Sequence, residues 1–226
     1  MMTPSVESAP VEADREAMRH AMVASQLRTN AVSDARVVEV MARTPREAFL
    51  PPEHRAIAYR DTLLPLGNGR KHNSPLATAR LLTEAQVRAE DHVLLIGAAG
   101  GYAAALLSGL AASVVALEED DSLIAVARGA LAGFANVELV SGPLNQGWAA
   151  KAPYDLIVID GAVEQLPEEL VSQIKPGGRA VSGMVDRGVT RLAIGHRTPG
   201  GFGMVDFLDI ECAILPGFVR LRTFQF

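Results

Sequence analysis

The stretch Val93-Leu94-Leu95-Ile96-Gly97-Ala98-Ala99-Gly100-Gly101-Tyr102 constrains this chain more than any other. Four apolar residues without a polar position are the mark of a parallel strand covered on both faces. The small residues after them let backbone pass close to a ligand. The apolar run at 102–110 then predicts a helix whose first N–H groups face the same spot. Downstream, Ser113-Val114-Val115-Ala116-Leu117 predicts a second strand and ends at Glu118. At the carboxyl end of the neighbouring strand, a carboxylate can accept hydrogen bonds from both hydroxyls of a ribose, so strand, turn and acid together predict an adenosine site. Each signal alone has a plainer explanation. Turns between strand and helix favour glycine, and Glu118 with Glu119, Asp120 and Asp121 can simply cap and charge the next helix.

A chain of 226 residues with 49% apolar and 21% charged side chains is long enough for one domain that buries a sheet between two helical layers. Its formal charge of −5 provides no basic field for a phosphate backbone, which argues against nucleic acid and for a polypeptide or small-molecule partner. The single cysteine, Cys212, cannot form an internal disulfide and fits a cytoplasmic location. The first residues carry neither a basic start nor a long apolar stretch, and no apolar run approaches the ~20 residues that cross a bilayer, so neither a signal peptide nor a membrane span is expected. No metal is expected either.

In chain order, residues 1–11 read as a disordered tail, 12–75 as a helical extension with a substrate-side loop, and 76–226 as the core domain. Ala17, Met18, Ala21, Met22 and Leu27 recur at helical spacing across 12–30. Ser33 and Asp34 cap a second helix carrying Val37, Val38, Val40 and Met41, which stops before Pro45. Short helical pieces joined by bends follow over 45–59. Residues 61–74, polar and without a period, read as a loop free to fold over the turn at 97–101. Ser74-Pro75 reads as N-cap and first residue of a helix through Leu76, Ala79, Leu82 and Ala85. After Glu118 the pattern alternates: helix 121–131, strand 137–140, strand 154–159, helix 167–174, then the turn Lys175-Pro176-Gly177-Gly178 into strand 179–184. Strands at 189–194 and 205–214 around Thr198-Pro199-Gly200-Gly201 predict a hairpin, and 219–226 a last strand tucked into the sheet. The fold class is α/β, doubly wound and mostly parallel, Rossmann-like, ending in an antiparallel hairpin. That ending, and a turn that does not fit G-x-G-x-x-G, favour a methyltransferase core over a dinucleotide dehydrogenase.

From about Met22 onward the chain resembles the protein-L-isoaspartate O-methyltransferases. The residues that carry this are Met22-Val23-Ala24-Ser25-Gln26-Leu27-Arg28, the segment from Val38-Glu39-Val40 to Thr44-Pro45-Arg46-Glu47-Ala48-Phe49, Ala58-Tyr59, Leu64-Pro65-Leu66-Gly67 and Lys175-Pro176-Gly177-Gly178. The resemblance implies S-adenosylmethionine as cofactor and methylation of the carboxylate of isoaspartyl residues in damaged polypeptides. A carboxylate is already a nucleophile at neutral pH, so this chemistry asks for alignment and dryness rather than a catalytic triad. It implies Gly97, Ala98, Ala99, Gly100, Gly101, Tyr102, Glu118, Glu119 and Leu144 around the cofactor. Asn73 and Ser74 fall at the methyl acceptor, with Lys71, His72 and Asp160 toward the substrate.

The sequence departs from the family at named positions. The family's Thr-Ile-Ser-Gln-Pro falls on Lys71-His72-Asn73-Ser74-Pro75, the middle glycine of its turn on Ala99, and the aspartate of its Gly-Asp-Gly on Pro143 of Gly142-Pro143-Leu144. His72 reads as solvated, Asp160 as a cap of the turn through Gly161, and Trp148 as core or lid. Three readings stay open: an isoaspartyl-type methyltransferase, a non-catalytic family scaffold acting as a binding module, and a methyltransferase of changed acceptor with Asp160 and Lys71 as its contacts.

Overall fold

The computed structural model describes residues 8–220. Helix α1 (Ser8–Met22) begins inside the stretch expected as a tail, whose residues 1–7 lie outside the described part. It runs on through a wider turn, Val23–Leu27, and a tighter one, Arg28–Asn30, before Ala31 reverses the chain at φ 58. Helix α2 (Ala35–Arg43) starts at Asp34, whose carboxylate accepts the Arg36 N–H at 2.8 Å. The short helical turns Arg46–Phe49 and Pro52–Ile57 follow, each entered through a proline, as the sequence predicts.

The stretch expected as an irregular loop is instead a hairpin, β1 (Leu64–Gly67) paired antiparallel with β2 (Arg70–His72). Asn68 and Gly69 form its two-residue tip at φ 49 and 75, the left-handed pair that a tight hairpin turn needs. The inward side chains are Leu64, Leu66, Arg70 and His72, while Lys71 faces out. Two of the four are polar, which hides the alternation in the sequence. Ser74 caps α3 (Pro75–Ala85) by accepting the Ala77 N–H at 3.2 Å.

The core alternates as read: β3 (His92–Ile96), α4 (Tyr102–Ser108), β4 (Ser113–Glu118), α5 (Asp121–Ala130), β5 (Val137–Ser141), β6 (Tyr154–Val163), α6 (Glu168–Gln173) and β7 (Ile174–Asp186). Two antiparallel strands, β8 (Val189–His196) and β9 (Met204–Asp209), complete a sheet of order β5-β4-β3-β6-β7-β8-β9. Strands β5 to β7 in that order are parallel. Leu94 and Ile96 pack on one face and Val93 and Leu95 on the other, and all four are fully buried, each worth about 1.5–3 kcal/mol. Below the sheet, Arg179 donates to Asp91 at 2.6 Å and to the Gln86 carbonyl at 2.9 Å, fixing the start of β3 and leaving the carboxyl ends of the strands for a site.

Several boundaries differ from the sequence reading; strand β6, expected over 154–159, runs on to Val163. Strand β7 already includes Lys175-Pro176-Gly177-Gly178, because Tyr154 pairs with Ile174 and extends the ladder downward. Strand β9 ends at Asp209, and residues 212–218 turn back across the carboxyl edge of the sheet, with the Ala213 carbonyl accepting the Ala162 N–H at 2.7 Å and the Leu215 N–H donating to Ala162 at 2.9 Å. Of the expected last strand, Val219 and Arg220 are not in the sheet and residues 221–226 lie outside the described part. Among the described residues no helix is long and apolar enough to cross a membrane.

Candidate active site

The turn after β3 is closed on itself. Gly97 and Ala98 both donate to the Leu117 carbonyl at 3.0 Å, Gly101 donates to Ala98 at 2.8 Å, and the Ala99 N–H goes to Glu118 Oε2 at 2.8 Å. These donors serve the fold rather than facing outward. Packing also explains the small residues. A Cβ on Gly100 would stand 2.3 Å from the Phe49 carbonyl oxygen, and one on Gly97 2.9 Å from Leu215 Cδ1. Gly101, at φ +100, faces Leu131. Ala99 takes φ 49, a left-handed conformation that costs an L-residue about 1–2 kcal/mol. Tyr102 is fully buried, and burial pushes its phenol up.

Glu118 sits where the sequence predicts, at the carboxyl end of β4 beside that turn, and is 0% exposed. Its Oε1 accepts from Arg70 Nη1 at 2.5 Å, Glu119 N–H at 2.9 Å and Asp120 N–H at 3.2 Å. Its Oε2 accepts from Arg70 Nη2 at 3.0 Å and Ala99 N–H at 2.8 Å. A carboxylate offers about four lone-pair sites, and here all are used. The cap of α5 is Asp120, which accepts the Ser122 and Leu123 N–H groups at 2.9 and 3.3 Å, so Glu118 is free of that duty.

On the other side of the crevice, Asn73 Nδ2 donates to Asp160 Oδ1 at 2.9 Å, and Asn73 Oδ1 accepts the Ala213 N–H at 2.8 Å. Thr78 Oγ1 adds a second bond to Asp160 Oδ1 at 3.0 Å. Asp160 therefore does not cap the turn at Gly161; it lies inside β6, where burial raises its pKa. His72 is buried rather than solvated, because β2 turns it inward onto the Tyr102 ring at 5.6 Å, and its Nδ1 donates to the Asn73 carbonyl at 3.2 Å. Lys71 points away from the crevice into solvent, and Ser74 is spent on its helix cap. Glu119 is exposed and accepts the Leu144 N–H at 3.3 Å, while Leu144 is buried in the apolar cluster that also holds Leu215 and Phe218.

A family model described as protein-L-isoaspartate(D-aspartate) O-methyltransferase matches residues 17–194. The chain belongs to this family. The protein-L-isoaspartate O-methyltransferase 1 of Rhodopseudomonas palustris is 39% identical over 80% of this chain and 76% of its own length. That of Methanoculleus marisnigri is 37% identical over 78% of this chain and 80% of its own. Among solved structures, a protein-L-isoaspartate O-methyltransferase superposes with a TM-score of 0.77 at 23% identity, covering 88% of this chain and 66% of that one. A beta-aspartate methyltransferase from Plasmodium falciparum in complex with S-adenosyl-L-homocysteine gives 0.75 at 16% identity, covering 87% and 97%. These two structures establish the shared isoaspartyl-methyltransferase fold.

The crevice where the family's cofactor would lie is closed in this conformation by the chain's own side chains. The carboxylate that would take a ribose is saturated, and the space above Gly97 holds Leu215, with Arg70 Nη2 3.6 Å from where a Cβ would stand. Pro143, after β5, offers neither carboxylate nor N–H. Three residues that set this geometry receive no site role from the sequence. Arg70 hides in the polar stretch, although the adjacent Asn68-Gly69 is a hairpin signal. Leu215 lies just past the strand expected at 205–214. Arg46 is fully buried, lies 5.2 Å over the Tyr102 ring and donates to the Asn73 carbonyl at 2.5 Å, and burial lowers its pKa.

Proposed function

We propose that this chain is an S-adenosylmethionine-dependent methyltransferase of isoaspartyl type, acting on the carboxylate of isoaspartyl residues in polypeptides. One observation carries the reading: within a chain matched to the family over residues 17–194, Glu118 stands at the end of β4 beside the small-residue turn. In this reading the turn at 97–101, Glu118 and Leu144 border the donor side, and Asn73 with Asp160 borders the acceptor side. The test is transfer of a labelled methyl group from S-adenosylmethionine to an isoaspartyl peptide, with the same peptide carrying ordinary aspartate as control. Label on the isoaspartyl peptide alone supports the assignment, and label on neither refutes it.

The saturation of Glu118 by Arg70 favours a second reading, a family scaffold that no longer takes the cofactor and serves as a binding module. It requires that neither S-adenosylmethionine nor its homocysteine product bind, even after the crevice is emptied by mutation. The third possibility, a changed acceptor contacted by Asp160 and Lys71, loses support. Asp160 is engaged by Asn73 and Thr78, and Lys71 faces away.

A further inference from the structure

Two segments far apart in the chain converge on the face of Gly97 beside Glu118: the hairpin β1–β2 brings Arg70, and residues 212–218 bring Leu215. Arg70 offers Glu118 two N–H donors side by side, at 2.5 and 3.0 Å. Two neighbouring donors are also what the hydroxyls of a ribose offer a carboxylate. Resting on the functional reading above, we propose that Arg70 and Leu215 are internal occupants of the methyl-donor crevice, an autoinhibitory latch that a nucleoside must displace to reach Glu118.

The way these segments are attached supports a latch. Strands β1 and β2 pair only with each other and not with the seven-stranded sheet, so the hairpin can move without opening the main ladder. A two-stranded hairpin has little stability of its own. Its tip is held by Arg70 and by Asn68, which donates to Asp120 Oδ2 at 2.9 Å in solvent. The base stays anchored by buried Leu64. The segment carrying Leu215 is fastened by two backbone bonds with Ala162, one from the Leu215 N–H and one to the Ala213 carbonyl, by the Ala213 N–H to Asn73, and by packing of Leu215 with Phe218. Glu118 cannot stay buried and charged without a donor set, so release of Arg70 and entry of a diol are coupled, each allowing the other.

Calorimetric titration of S-adenosylhomocysteine into the wild-type chain, Arg70→Ala and Leu215→Ala tests the proposal. The second variant leaves the ion pair intact, which covers the case that the first does not fold. Each folded variant should bind at least tenfold more tightly than wild type, and the gain in Arg70→Ala should vanish when Glu118→Ala is added. Equal affinity in wild type and variants, whether tight or absent, overturns the latch. In the wild type, rising S-adenosylhomocysteine should accelerate hydrogen exchange in residues 64–72 and 212–218, and unchanged exchange at the highest concentration also overturns it. Methyl transfer is not read in these arms. A variant that gains binding yet leaves isoaspartyl peptide unmethylated would therefore sink the functional reading while the latch stands.

Discussion

Asn73 and Asp160, 87 residues apart, are joined by an amide-to-carboxylate bond of 2.9 Å inside the protein, and the same Asn73 side chain accepts the Ala213 N–H. This one amide fastens the end of the β1–β2 hairpin to β6 and to the segment that carries Leu215. Both hydrogen bonds to Asp160 end on Oδ1, so an asparagine in its place keeps them, removes the buried charge and sets an NH2 group where Oδ2 stood.

That gives a pH prediction with a definite sign. Burial raises the Asp160 pKa above its unfolded value of about 3.9, so the folded chain holds this proton more tightly than the unfolded one. The resulting stabilisation is complete below the unfolded value and is lost as pH rises through the folded one. Asp160→Asn should therefore be more stable than wild type at pH 7, by on the order of 1 kcal/mol, and the difference should shrink toward pH 4. Urea midpoints for the two proteins across that range decide it, and a variant weaker than wild type at pH 7 would mean that the arginines nearby hold Asp160 ionised.

The Arg70–Glu118 pair should behave as one unit. Removing either charge leaves the other buried, so Arg70→Met and Glu118→Gln are each expected to cost about 3–5 kcal/mol. The double variant should lose at least ~2 kcal/mol less than the sum of the two, the mark of direct coupling. Denaturant melts of the four proteins complete the cycle, and strict additivity would show that the two groups do not meet in solution.

Why Glu118 is legible in the sequence and Arg70 is not follows from how each segment is buried. Parallel strands covered on both faces write themselves as unbroken apolar runs, so β3, β4 and β6 stand out and the acid ending β4 stands out with them. Ser74-Pro75 likewise announces its own cap. The β1–β2 hairpin buries Arg70 and His72 on its inner side, so the apolar alternation breaks and the stretch looks like a loop although its Asn68-Gly69 turn is spelled out. Leu215 is harder still. Its place over Gly97 depends on a strand ending at Asp209 and folding back onto β6, a tertiary event without a local signature.

His72 carries a proton linkage of opposite sign. Burial, and then the Arg46 guanidinium, hold its pKa well below the ordinary imidazole value, against a smaller opposing bond to Asn73. Below about pH 6.5 the unfolded chain takes a proton that the folded one refuses, so stability falls with acidification at up to ~1.4 kcal/mol per pH unit until the folded value is reached. His72→Phe keeps an aromatic ring against Tyr102 and removes the titration. Between pH 6.5 and 5.5 the wild type should lose roughly 1 kcal/mol more than the variant in urea melts, and parallel losses would place His72 in solvent.

The turn at 97–101 offers a last pair of changes with opposite signs. Gly100→Ala would drive its Cβ to 2.3 Å from the Phe49 carbonyl oxygen, a backbone atom that can yield only if the turn Arg46–Phe49 shifts, so a loss of about 2–3 kcal/mol is expected. Ala99→Gly relieves a residue held at φ 49. Set against the roughly 0.5–1 kcal/mol that glycine loses in chain entropy, the relief of about 1–2 kcal/mol leaves a net gain of roughly 0–1.5 kcal/mol. Chemical denaturation of both variants separates two explanations of the small residues. If they are set by packing against Phe49, Gly100→Ala is unstable with no ligand added. If they existed only to admit a ligand, Gly100→Ala would be as stable as wild type and its defect would appear in binding alone.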